Sequence, residues 1–317
     1  EGRDCESFLN YVCGAEMAVP SGKIVYTQFL NRHGGIEADV TVTRLSKTAY
    51  LVVTPAATRQ ADEIWLRRHL GEYNVVLTDV TSSEGVLAIM GPMARSVMQA
   101  VSPNNFYNEN NPFGTMQHIE IGMGLARVHR ISYVGELGWE VYVSSDMASH
   151  IFEKLHQAGQ DHSMRLCGMH VMDSCRIEKA FRHFGYDITC EDHVLEAGLG
   201  FAVDTAKPDF IGRDSVLRKK EAGLNKRILQ FCLREPEPLL YHNEPILRDG
   251  EIVGYISSGS YGHHLSGAIG LGYVPCAGET LDQILSSSYE IDVAGTRFSA
   301  DVSAKPMYDP SSARVKV

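Results

Sequence analysis

The chain has no apolar run near the ~18 residues that a membrane-spanning helix requires, so no span is expected. It has no run of Lys or Arg longer than the triplet Arg218-Lys219-Lys220, and its net charge is −10. Both argue against a nucleic-acid partner. No C-x-x-C pair occurs among the seven cysteines, an odd number in a long chain, which points to free thiols in a reducing compartment rather than a disulfide scaffold. No H-E-x-x-H or comparable ligand spacing is present, so no metal site is expected. His263-His264 share a Gly-rich turn, and two neighbours on one loop do not make such a site. The strand-G-x-G-x-x-G-helix fingerprint is also missing; GMGLA at Gly122 comes nearest, and it falls between two strands. Finally, there is no initiator Met and no signal peptide. The sequence opens on a helix-like run with Phe8, Leu9, Val12 and Cys13 at helical spacing, which reads as a piece of a longer chain.

What is present is an ordinary globular composition, 44% hydrophobic and 21% charged, over a length that allows two or three domains. The pattern predicts a helix over 5–13, strands over 49–53, 74–78 and 85–90, and helices over 58–70, 92–100 and 145–157. Ala61, Ile64, Trp65 and Arg68 are expected to share the buried face of the 58–70 helix. Strands alternating with single helices indicate an α+β layer. After a short polar helix over 214–222 the pattern turns all-β. About six short strands follow, including a hairpin at Asp249-Gly250, which argues for a small barrel or sandwich.

Three stretches carry candidate chemistry. Tyr26 to Val42, YTQFLNRHGGIEADVTV, reads as strand, turn, strand, with Gly34-Gly35 able to take φ > 0. Alternation puts Ile36, Ala38, Val40 and Val42 on one face and Glu37, Asp39 and Thr41 on the other. That polar face is either a solvated surface or the wall of a pocket. Arg130 to Val143, RISYVGELGWEVYV, reads as two strands joined at Gly135 to Gly138, with Glu140 and Tyr142 opposite Trp139, Val141 and Val143. Cys167 to Phe184, CGMHVMDSCRIEKAFRHF, reads as a helix on which Asp173, Arg176 and Lys179 share a face, either as surface ion pairs or as charges for a ligand.

These stretches resemble the glycine-cleavage T-protein (aminomethyltransferase) family. Its pterin-site hairpin has a tyrosine thirteen residues before an aspartate, here Tyr26 and Asp39; its Y-x-G-E-x-G-x-E segment is matched by Tyr133 and Glu140, and its R-D-x-x-R-x-E helix by Asp173, Arg176 and Glu178, with Met172 where the family has its first arginine. The run from Asp173 to His183, with Leu195 to Asp204 and Lys207 to Asp214, looks more like the C-terminal half of sarcosine and dimethylglycine dehydrogenases. The resemblance implies a T-protein-like folate-binding fold over residues 1–222, two intertwined α+β subdomains, and a C-terminal β-barrel over 223–317. It implies tetrahydrofolate as cofactor, with FAD held only by a preceding half of the parent chain. The one-carbon unit of an N-methyl amine would be captured as 5,10-methylene-tetrahydrofolate. Asp39 would be catalytic; Tyr26, Tyr133, Glu140 and Arg176 would bind the cofactor. A free-standing aminomethyltransferase or demethylase, and a non-catalytic regulatory homologue, are the alternatives. The location implied is the cytoplasm for a bacterial chain and the mitochondrial matrix for a eukaryotic one.

Overall fold

In the computed structural model, which describes residues 1–317, the chain begins with helix α1 (Cys5–Val12) and the hairpin β1 (Ile24–Leu30) and β2 (Ile36–Ser46). The turn between the strands is built by Asn31, whose side-chain oxygen accepts from the backbone N–H of His33 and of Gly35. The two glycines serve different ends. Gly34 adopts φ +80, which favours glycine. Gly35 is needed for space, because a Cβ there would lie 2.0 Å from the carbonyl oxygen of Cys190. Strand β3 (Ala49–Val53) completes an antiparallel sheet of order β1-β2-β3. Period-two alternation buries Ile36, Ala38, Val40 and Val42. The last three pack with Phe8, Leu9 and Val12 of α1 and with Leu66 of helix α2 (Arg59–His69). Each of these Val, Leu and Phe side chains contributes roughly 1.5–3 kcal/mol on burial, and Ala38 less.

A second antiparallel sheet, of order β4-β7-β6-β5, contains β4 (Glu84–Met90), β5 (Met116–Ile121), β6 (Gly124–His129) and β7 (Gly138–Ser144). Trp139, Val141 and Val143 face helices α3 (Ala94–Val101) and α4 (Ala148–Gln160), forming a core with Val97, Met98, Ile151 and Leu155. Glu140 and Tyr142 project from the other face, as the alternation predicts.

Helix α5 (Met169–Glu178) links these layers to the C-terminal part. Past helix α6 (Arg213–Ala222), the strands β8 (Lys226–Leu233), β9 (Pro245–Arg248), β10 (Glu251–Gly262), β11 (Gly267–Pro275), β12 (Tyr289–Val293) and β13 (Thr296–Ser303) close into a barrel of order β10-β11-β8-β13-β12-β9. The short helix α7 (Leu281–Ser286) carries a capping box between Thr280 and Gln283. Asp249 and Gly250 both take positive φ, as the hairpin signal requires. The fold is that of an α+β protein with mixed layers and a six-stranded barrel. The end of α5 is tied to the barrel by Gln230, which donates to the carbonyls of Ile177 and Glu178 and accepts from the N–H of Met307.

Several local expectations fail for identifiable reasons. Residues 74–78 form no ladder; their backbone is held by the N-terminal segment, Asn74 O accepting from Asp4 and the Val76 N–H donating to Glu1. Residues 130–133 are not a strand either, because β7 pairs with β4 and β6 instead. Strand β3 is half-buried rather than buried. On α2 the buried face is Asp62 and Leu66, while Ile64 is 57% exposed. Burial of Asp62 is offset by a hydrogen bond from the Thr58 hydroxyl at 2.6 Å. Helix α5 stops at Glu178 because Ala180 turns left-handed at φ +51. The Phe181 N–H then bonds Arg176 O and the Ala180 N–H bonds Ile177 O, a Schellman closure made with alanine where glycine is usual.

Candidate functional site

The hairpin presents its polar face as one wall. Gln28 lies directly across the ladder from Asp39, and its side-chain amide donates to the Asp39 carboxylate at 2.8 Å. The Tyr26 phenol makes a second polar contact with Asp39, outside ordinary hydrogen-bond geometry. Asp39 keeps some exposed surface, yet its carboxylate sits in a crowded concavity. Burial therefore outweighs the Gln28, Tyr26 and Arg182 contributions and raises it to about 6. Burial, with Asp39 adding, holds Tyr26 well above the usual phenol range. The Tyr26 ring stacks on Phe201, 6.1 Å between centroids, and Phe201 is 78% exposed.

The segment leaving α5 supplies the next wall. Tyr133 donates its hydroxyl to the Arg182 carbonyl at 2.9 Å and stacks on Phe181 at 6.2 Å and 16°. The Arg182 guanidinium donates to the carbonyls of Ala180 and Ala197, and its charge acts on both Tyr26 and Asp39. Tyr26, Asp39, Tyr133 and Arg182 thus form one electrostatic neighbourhood.

Glu140 stands apart from that group. No hydrogen bond or ion pair joins it to Asp39, Tyr26 or Tyr133. Its carboxylate accepts from the Tyr142 hydroxyl at 2.6 Å, and burial raises its ionisation above the usual range despite that bond.

Arg176 pairs with Asp173 as the helical spacing predicts, but from a buried position. It is 2% exposed and donates to Asp187 at 2.6 Å, Asp173 at 3.1 Å, Ser258 at 2.9 Å and the Phe181 carbonyl at 3.2 Å. Asp187 in turn accepts from Ser257 and from the His183 N–H. Glu178 is buried beside it and accepts from the His264 ring and the N–H groups of His264 and Leu265. These charges are an internal joint between α5 and the barrel, not a surface pair.

A model of the GCVT N-terminal domain matches residues 1–207, and one of the glycine cleavage T-protein C-terminal barrel domain matches residues 226–309. The chain belongs to the glycine-cleavage T-protein family. It is 37% identical over 316 residues to 4-methylaminobutanoate oxidase (formaldehyde-forming) of Paenarthrobacter nicotinovorans, covering 99% of this chain and 38% of that protein. It is 30% identical to mitochondrial sarcosine dehydrogenase of Homo sapiens, covering 99% of this chain and 36% of that one. The chain therefore spans well under half the length of these curated relatives. Aminomethyltransferase T of the glycine cleavage system from Bartonella henselae superposes with a TM-score of 0.84 at 24% identity, covering 98% of this chain and 83% of that one, a likeness of fold.

Within this T-protein framework, sequence reasoning passed over Gln28, Arg182, Phe201 and Tyr142 as site residues. Gln28 was legible in principle, because a hairpin of this turn length sets it opposite Asp39. Arg182 and Phe201 were not, since Arg182 follows the end of α5 and Phe201 sits in a single 3-10 turn over Gly200–Ala202, and the course of both segments depends on the tertiary fold.

Proposed function

We propose that this chain is the tetrahydrofolate-binding part of a flavin-linked N-methyl-amine dehydrogenase or oxidase, and that it captures the released one-carbon unit. The observation that carries the reading is Asp39: a carboxylate raised to about 6, fixed by Gln28 and flanked by aromatic rings. The residues present suit a flat heterocycle with hydrogen-bonding edges. Exposed Phe201 and its stacking partner Tyr26 offer a ring face, and Asp39 and Glu140 offer acceptors on two sheets. The Gln28 side-chain oxygen is buried without a partner.

When bound, tetrahydrofolate supplies two neighbouring amine nitrogens that take up a one-carbon unit as 5,10-methylene-tetrahydrofolate. Asp39 would take the proton that one of these nitrogens must lose, and its near-neutral ionisation suits both accepting and returning it. Gln28 holds the carboxylate in one orientation. Tyr26 and Phe201 pack against the ligand and exclude water from Asp39. Glu140 hydrogen-bonds the ligand's amino edge. Tyr133 shapes the pocket through its bond to the 182 backbone. Arg176 is assigned to bracing the α5–barrel joint, and Arg182 supplies a cation near the site where Met172 does not. The flavin chemistry is assigned to a separate region of a longer protein.

Calorimetric titration of the chain with tetrahydrofolate under anaerobic conditions tests this reading. One-to-one binding in the micromolar range is expected, lost in Glu140→Ala and retained in Asp39→Asn. Full binding by Glu140→Ala would remove Glu140 from the site, and no binding by either this chain or the longer protein would overturn the proposal.

A further inference from the structure

The face of the second sheet that bears Glu140 holds four polar side chains in a square. Register sets Glu140 opposite His129 and Tyr142 opposite Arg127 across β7 and β6. The Tyr142 ring lies 4.3 Å from the His129 ring and 5.8 Å from the Arg127 guanidinium carbon. Arg127 is itself held by Glu84 of β4. Tyr142 is 5% exposed, so its ring is enclosed and its hydroxyl points one way, onto one Glu140 oxygen.

His129 adds an independent observation. It is fully buried, and neither ring nitrogen has a hydrogen-bond partner. Burial, with Arg127 adding, pushes it down to about 3, so it is neutral at working pH. A buried polar ring without partners is a cost to the folded state. An apolar side chain of similar size would fill the space without that cost. What the ring provides is contact with Tyr142, beside the carboxylate that Tyr142 holds.

We propose that Tyr142, held from β6 by Arg127 and His129, is a positioning residue for ligand recognition: it commits one oxygen of Glu140 to the phenol and presents the other to an amino-substituted heterocycle. This rests on the reading of Glu140 as the edge-recognising residue. The phenol's hydrogen bond also favours the ionised carboxylate, which is the form that accepts from an amino group. The charged and titratable groups on this face, beside Glu140 itself, are Tyr142 on β7, His129 and Arg127 on β6, Glu84 on β4 and the exposed His118 and Glu120 on β5, which lie opposite Arg127 and Leu125.

The test is anaerobic titration with tetrahydrofolate from pH 5 to pH 9, using the wild type, Tyr142→Phe, His129→Leu and Glu140→Ala, each with a thermal melt. Tyr142→Phe keeps the ring and removes the donor. Its binding should weaken about tenfold at pH 7, which is about 1.4 kcal/mol. The acid limb of its binding profile should move to higher pH, because Glu140 loses a bond that favours its charge. His129→Leu should melt no lower than the wild type yet bind several-fold more weakly. Wild-type affinity and pH profile in Tyr142→Phe, with binding lost in Glu140→Ala, would overturn this proposal and leave the folate reading standing. Unchanged binding in Glu140→Ala would overturn this proposal by removing Glu140 from the site, while folate binding itself would stand.

Discussion

Two groups of buried charge meet different fates in this molecule. In the joint between α5 and the barrel, Arg176, Asp187, Ser257 and Ser258 satisfy one another, and none keeps an unpartnered buried polar atom. On the walls of the site, the Gln28 oxygen and both His129 nitrogens remain unpartnered, while Asp39 and Glu140 are raised by burial. The residue types are similar and the degree of saturation is not. A saturated network fixes geometry; an unsaturated one carries a cost that a ligand can relieve.

The sharpest break in that contrast is expected at the joint. Arg176→Met leaves Asp187 buried without its cation and should destabilise the fold by about 3–5 kcal/mol, read as a fall in the denaturant midpoint. An effect near zero would erase the distinction between the two groups. At Asp39 the sign should reverse. A carboxylate raised to about 6 when folded, against an ordinary value near 3.8, binds its proton more tightly in the native state. Its cost is therefore present above about pH 6, shrinks as pH falls, and is gone below about pH 4. Asp39→Asn should gain about 1–3 kcal/mol at pH 7.5 and nothing at pH 3.5, while the one-carbon transfer proposed above should fall at least about 100-fold.

Gln28→Leu probes the same carboxylate more gently. Removing the amide donor should raise Asp39 further, move the acid limb of the transfer profile upward and lower the rate about tenfold. The smallest effect is expected at Ala180→Gly, which relieves the left-handed φ at the end of α5 and should stabilise by about 0.5–1 kcal/mol, with no change in the profile.

How much of this was legible in the sequence follows the range of the interactions concerned. The β1–β2 hairpin and the Asp249-Gly250 turn are local, and period-two burial with turn chemistry specifies them. The resemblance supplied the fold and named Tyr26, Asp39, Tyr133 and Glu140 as candidates, of which the first three lie together and Glu140 sits on the second sheet. The end of α5 was illegible because the residue taking the left-handed turn is Ala180, which carries no glycine signal. The burial of Arg176 was illegible for another reason. Spacing along a helix shows Asp173 and Lys179, whereas its main partners are Asp187 and Ser258, brought to it by chain reversal and by the barrel. The buried face of α2 was misread because Asp62, a polar residue, lies inward with Thr58.

One side-chain amide, that of Gln230 on barrel strand β8, touches the helix end and the segment around Met307 at once. The last carbonyls of α5 acquire these partners only after strands distant in sequence have met. Formation of the pocket wall is thereby coupled to closure of the barrel, so the two should melt in one cooperative transition rather than in succession. For anyone trimming the chain, the barrel is then a structural requirement of the pocket and not a detachable tail.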